Sequence, residues 1–286
     1  FGGEGLAYIG GGGVGLVCLV FDQHFVGFLV TILAILGSVI FGAIWGIIPG
    51  YLQAKRGSHI VITTIMFNFI AAALMVYLLV NVIIEPGQMS PETRDFASGV
   101  GLVQMHIFAK YLGLEMAMSP LNLSFIVALT VSVGFWFLVW RTKFGYEVRS
   151  LGHSETAAIY AGIKVSSTII IVMAISGGLA GLVAINELLG VHNKLLLGFT
   201  AGYGFTGIAV ALMGRNHPVG IFLASLLFGA LYQGGTELDF EFSSITREMV
   251  LLIQGLIILF SGALAYMLNP LVERIYIKYY GNYNNA

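Results

Sequence analysis

The chain has 286 residues, 58% of them hydrophobic and only 9% charged, with 13 Lys and Arg set against 14 Asp and Glu. A mean hydropathy of +0.92 and long continuous apolar runs exclude an ordinary soluble domain and predict an all-α, polytopic transmembrane bundle, since the runs lack the ten-residue alternation of an outer-membrane barrel. A net charge of −1 gives no basis for binding nucleic acid, and the one cysteine, Cys18, cannot form a disulfide within the chain and reads as a small packing residue.

The opening "FGGEG" carries no methionine and reads as a start inside a segment, with no signal peptide. About eight apolar segments follow, near residues 5–20, 25–52, 60–84, 120–140, 165–190, 199–214, 218–234 and 247–268. The first, "GGEGLAYIGGGGVG", lacks the lysine of a phosphate loop, so close helix packing or an unwound membrane helix explains its glycines. Glu4 borders it. A carboxylate there must be compensated, either by lining a solute pathway or by bonding nearby backbone. Asn68 in the third segment and Gln254 in the eighth each either meet a solute or tie two helices.

Residues 85–119 form the longest connection, and "GVGLVQMHIFAKYLGL" within it reads as a short interfacial helix or a surface loop. "NELLGVHNK" places Asn186, Glu187, His192 and Lys194 at the end of the fifth segment, as a gate or as a solvated helix end. The sixth segment, "GFTAGYGFTGIAVALMG", is short and glycine-broken, which a membrane tolerates only where backbone faces protein or a water-filled cavity. Its Tyr203 and Phe205 offer aromatic faces suited to sugars or bases, or pack between helices.

Basic connections (Lys55 and Arg56; Arg141, Lys143 and Arg149; Arg215 and His217; Arg274 and Lys278) alternate with the acidic ones at 85–119 and 235–248. The positive-inside rule makes the basic set cytoplasmic. The expectation is one membrane domain over 1–286, with residues 141–164 on the cytoplasmic side.

That cytoplasmic loop is unusually polar for this chain. Within "SETAAIYAG", Ser154 suits an N-cap, Glu155 suits the positive start of a helix, Ala157 and Ala158 favour helix, and Gly162 suits its end. Such a helix either docks in a partner's groove or merely joins two spans. His153 and Glu155 lack the i, i+4 spacing of a metal site, and no histidine lies in a span to serve as base to the serines of "ISGG" and "FSGA". No catalytic or metal-ligating residue is expected. An ion-coupled secondary transporter, the alternative class, needs intramembrane acid pairs, and only Glu4 is a candidate.

"GYEVRSLGHSETAAIYAGIKV" resembles the cytoplasmic coupling segment of ABC importer permeases of the branched-chain amino acid, simple-sugar and nucleoside group, which reads G-x-x-x-R-A-x-G-x-N-P-x-A-A-x-x-x-G-I. The likeness continues through "AIWGIIPGYLQAKRGSHIVITTIMFNFIAAAL", "ISGGLAGLVAINELLG" and "GYGFTGIAVALMGRNHPVGIFLASLLFGALYQGG", and is nearest the nucleoside and simple-sugar branch. It departs at "GHSE" in place of G-A-N-P, at His59 and Ile60 in place of Asn and Glu, and at Leu6 in place of Gln. The resemblance implies a non-enzymatic permease subunit of the bacterial cytoplasmic membrane. It implies a second related permease, a cytoplasmic ATPase that binds ATP and Mg, and a periplasmic or lipid-anchored substrate-binding protein. It also implies that Glu147, Arg149, Gly152, Ser154, Glu155, Ala157, Ala158, Tyr160 and Gly162 meet the ATPase, with Ala157, Ala158 and Tyr160 as the apolar contact. Glu4, Asn68, Tyr203, Phe205 and Gln254 are the candidate pathway residues.

Overall fold

The computed structural model describes residues 2–85, 87, 89–111, 113, 118, 121–241, 249, 250, 252–257, 259 and 260. These residues form helices without a β-strand, and they divide into two compact units, Phe1–Thr206 and Gly207–Ala286. The chain runs α1 (Gly3–Phe21), α2 (Gly27–Arg56), α3 (Ile60–Asn81), α4 (Met105–Tyr111), α5 (Ser124–Arg141), α6 (Lys143–His153), α7 (Glu155–Tyr160) and α8 (Val165–Gly181). A π-helix (Ile185–His192), α9 (Tyr203–Met213) and α10 (Pro218–Glu241) follow.

Among the described residues six helical stretches are long and apolar enough to cross a membrane: α1, α2, α3, α5, Val165–His192 and Pro218–Leu238. The count is below the eight apolar segments for two local reasons. The sixth segment yields only the 11-residue α9, because turns occupy its start. The eighth falls largely outside the described residues, as do Arg274 and Lys278. The acidic stretch at 235–248 begins as the last turns of α10.

Glycine explains how the first unit packs. Lipid is as apolar as leucine, so membrane helices associate through close van der Waals contact rather than apolar burial. On α2, Gly42 lies against the Gly177 carbonyl and Gly46 against the Met173 carbonyl of α8; a Cβ at either glycine would overlap backbone. Ser38 Oγ seals the same face by donating to the Gly181 carbonyl at 2.5 Å. Helix α1 joins through Gly10 against Gly181, Gly13 against Gly37 and Gly5 against Asn68. A buried cluster of Val14, Cys18, Val30, Ala34, Met75 and Leu79 fills the space beside these contacts. Helix α5 has no buried residue.

The long connection after α3 folds back over the Asp22 end of α1. Arg94 forks onto Asp22 with Nη1–Oδ2 at 2.7 Å and Nη2–Oδ1 at 2.8 Å, and Ala97 N donates to the same carboxylate. The guanidinium holds the Asp22 carboxyl below the usual carboxylate range. Backbone bonds from Thr93 N to Leu195 O and from Phe96 N to Asn193 O stitch the connection to the chain after the π-helix. Part of the interfacial reading holds, since Met105–Tyr111 is the helix α4. In the second unit, Val210 packs with Ala224 and Phe228 across a tight turn in which Arg215 and Asn216 take positive φ.

Candidate functional site: a polar hairpin of helices and a re-entrant segment

The polar loop is two helices at a sharp corner rather than one. Thr142 caps α6: its Oγ1 accepts from Gly145 N at 3.1 Å while donating to the Leu138 carbonyl at the end of α5. Gly145 fits there because a Cβ would strike the carbonyls of Leu138 and Val139. Ser154 then stops α6 in extended geometry and caps α7 by accepting from Ala157 N at 3.3 Å. Gly162, at φ +78°, reverses the chain, with Ile163 N returning to the Ala158 carbonyl.

The side chains sort differently from the expectation. Ala158 is fully buried within the chain, so it packs α7 onto its own neighbours and offers no surface to a partner. The outward apolar residues are Ile159, 58% exposed, and Tyr160, 88% exposed. Ala157, Gly152 and Glu155 are also exposed. Arg149 is committed internally, its guanidinium 4.7 Å over the Trp140 ring of α5. Glu147 lines a cavity of about 230 Å³ with Phe144, Gly162, Ile163, Lys164 and Ser167. Ile159 was missed because the helix phase that buries Ala158 depends on the corner at Ser154, which the pattern of residue types does not reveal.

The second feature lies along α1. After the π-helix, Asn193 takes φ 53° and the chain descends beside α1 without regular structure. Leu195 sits on Gly15, the Phe199 ring on Gly11, and Gly204 on Gly3 and Glu4. Tyr8 closes edge-on against Phe199, with ring centroids 5.6 Å apart. Glycines four apart on one face of α1 are thus the groove for this segment.

Glu4 fastens its lower end. Oε1 accepts from Thr200 Oγ1 at 2.5 Å and Gly202 N at 3.2 Å, and Oε2 accepts from Gly204 N at 2.8 Å. The two amides belong to the turn that opens α9, where a carboxylate suits the positive end of the helix. Of the two readings of Glu4, this geometry matches the carboxylate bonded to backbone.

Asn68 is likewise a tie: it is buried and its Oδ1 accepts from Gly5 N at 2.9 Å, joining α3 to α1. Phe205 is exposed, and Tyr203 is half-buried. Gln254 is buried, and its Nε2 has no partner among the described residues. Asn186 accepts from Asn122 Nδ2 and Ser124 Oγ, while Lys194 pairs with Glu92 at 3.1 Å, so the stretch after α8 braces loops. Thr200, fully buried on Glu4, carries a role that one hydroxyl in a glycine-rich stretch gave no sign of.

Residues 1–262 match the family model described as branched-chain amino acid transport system / permease component. The guanosine ABC transporter permease protein NupP of Bacillus subtilis is 35% identical, over 85% of this chain and 68% of its own length. The nucleoside ABC transporter permease protein NupB of Lactococcus lactis is 31% identical, over 81% of this chain and 63% of its own. The glucose ABC transporter permease protein TsgB13 of Haloferax volcanii is 30% identical, over 80% of this chain and 60% of its own. The chain therefore spans roughly two-thirds of the length of these relatives. No solved structure matches it. With a match over nearly its whole length and six apolar spans, this multi-pass membrane chain belongs to the family of branched-chain amino acid transport system permease components, on its nucleoside and sugar side.

Proposed function

We propose that the chain is the permease subunit of an ATP-driven importer of nucleosides or simple sugars in the bacterial cytoplasmic membrane. The observation that carries this is the α6–α7 hairpin. It stands between two apolar spans, is capped at both corners, and presents most of Ile159 and Tyr160 outward among the described residues. Two adjacent outward apolar residues on a capped helix outside the apolar spans suit docking into a partner's groove. A cytoplasmic ATPase, carrying ATP and Mg, closes on this hairpin and drives the helices above it. A second permease completes the pathway, and a periplasmic or lipid-anchored binding protein delivers the solute. The chain itself hydrolyses nothing.

The names of the relatives support nucleosides and sugars about equally. Reconstitution of the full transporter in proteoliposomes tests the proposal: ATP-dependent uptake of labelled guanosine or D-glucose is expected. Uptake that follows an imposed ion gradient and ignores ATP would overturn it in favour of a secondary transporter.

A further inference from the structure

The segment 195–204 lies at membrane depth. Helix α1 is 19 residues long, about 28 Å at ~1.5 Å per residue. Leu195 meets Gly15, about 9 Å below the Phe21 end by the same rise, and Gly204 meets the opposite end at Gly3. Between them the backbone is neither helix nor strand, and Gly198, Ala201 and Gly202 all take positive φ.

One side of this segment is closed. Leu195, Phe199 and Thr200 are buried on α1. The other side is open: Leu197, Gly198 and Ala201 are exposed. Among the described residues the carbonyls of Gly198, Thr200 and Gly202 accept backbone bonds, whereas those of Leu197, Phe199 and Ala201 accept none. A bare peptide carbonyl facing hydrocarbon costs several kcal/mol, so irregular backbone at this depth persists only against protein or water. Alanine in the left-handed region at 201 adds strain that a lipid-facing loop has no reason to hold.

We propose that the open side of this segment, Leu197, Gly198 and Ala201, is a wall of the solute pathway, where the unpaired carbonyls of Leu197 and Ala201 accept hydrogen bonds from the hydroxyl groups of a ribose- or hexose-bearing solute. The assignment rests on the transporter reading above and adds the wall and the chemical group it reads. Carbonyls can serve the several hydroxyls of any such ring, and guanine, which carries N–H donors but no hydroxyl, is the comparison that separates the two kinds of donor. Glu4 and Thr200 hold the wall from behind, so they position it without touching solute.

The test uses the assembled transporter in proteoliposomes with Cys18→Ser as background. Leu197→Cys and Ala201→Cys are exposed to a hydrophilic, membrane-impermeant thiol reagent, and Val133→Cys, an exposed position in the middle of the apolar span α5, is the control. Both wall cysteines should react and the control should not. Guanosine or D-glucose at about ten times its Kd should slow labelling about tenfold, and guanine should not. Protection by guanosine alone identifies a ribose-bearing solute, and protection by D-glucose alone a hexose. Wall cysteines as inert as Val133→Cys would mean that protein or lipid covers the segment and would overturn the proposal. Protection by guanine, or by none of the three, would overturn the hydroxyl reading. Uptake is measured in parallel: transport without labelling sinks the wall and leaves the transporter, whereas labelling without ATP-driven uptake of either solute sinks the transporter assignment.

Discussion

Replacing Ile159 and Tyr160 together by alanine removes the only large outward apolar surface of α7 while leaving its caps intact. Ile159 is 58% exposed, so docking can bury little more than half of a side chain whose full burial is worth about 1.5–3 kcal/mol. Tyr160 is 88% exposed, and an aromatic side chain of roughly 200 Å² buried to that extent gives about 4 kcal/mol at ~25 cal/mol per Å². Immobilising the two side chains costs about 2 kcal/mol. The remainder, about 3–4 kcal/mol, corresponds to a 10²–10³-fold loss of affinity for the ATPase, at ~1.4 kcal/mol per decade. The assay is titration of the detergent-solubilised permease with its ATPase, alongside thermal unfolding of the permease alone. Unfolding should change little, because both side chains keep most of their surface outside the chain. Ala158→Leu makes the complementary control: it overfills a buried site at about 1–3 kcal/mol and should lower the melting temperature. An ATPase affinity within about fivefold of wild type for the double alanine variant, about 1 kcal/mol, would refute the assignment of α7 as the docking element.

Three further outcomes follow from the geometry. Glu4→Gln puts an amide NH₂ against donors that need an acceptor, which costs about 1–3 kcal/mol; melting temperature and uptake should both fall while ATPase affinity holds, and unchanged melting would contradict the staple. Arg94 lowers the folded pKa of Asp22, so its stabilisation is complete above the unfolded carboxylate value of about 4 and is lost as pH falls toward the lowered folded value. The melting-temperature gap between wild type and Asp22→Asn should therefore stay constant from about pH 7 to 5 and shrink below about pH 4, and a gap that widens on acidification would be decisive against it. Gly10→Ala drives a methyl into Gly181 backbone and should disrupt assembly, whereas Gly12→Ala meets only the flexible end of Met75 at 3.4 Å and should be tolerated; equal effects in expression and melting assays would refute the packing account.

What the sequence made legible was whatever depends on neighbours along the chain. Ser154 as cap and Gly162 as stop are local chemistry, and both are found. The short sixth segment was visible for the same reason: glycines interrupt its apolar run. Glu4 was recognisable as a carboxylate needing compensation, but its partners Thr200, Gly202 and Gly204 lie nearly two hundred residues away. No periodicity encodes such a contact. The glycines of α1 posed the same problem: their number signals close approach, but the neighbour each one admits is set by tertiary packing. Asn68 looked equally fit for solute or helix, and only the position of Gly5 decides.

The contact of α2 with α8 has a mechanical consequence. Where Gly42 meets Gly177 backbone to backbone, and the short Ser38 hydroxyl is locked onto the Gly181 carbonyl, no long side chain intervenes that could change rotamer and absorb a displacement. Close-packed backbone transmits strain with little give, so the pair moves as one stiff beam. Four residues separate α7 from the start of α8, so the beam follows directly in the chain on the helix that carries the outward Tyr160. On the proposed docking mode, a thrust delivered there is not dissipated by bending one helix. It reaches α1 through Gly10 and Gly13, and α1 carries the irregular strip of chain along its other face. The glycines thus set the gearing of the molecule as well as its packing.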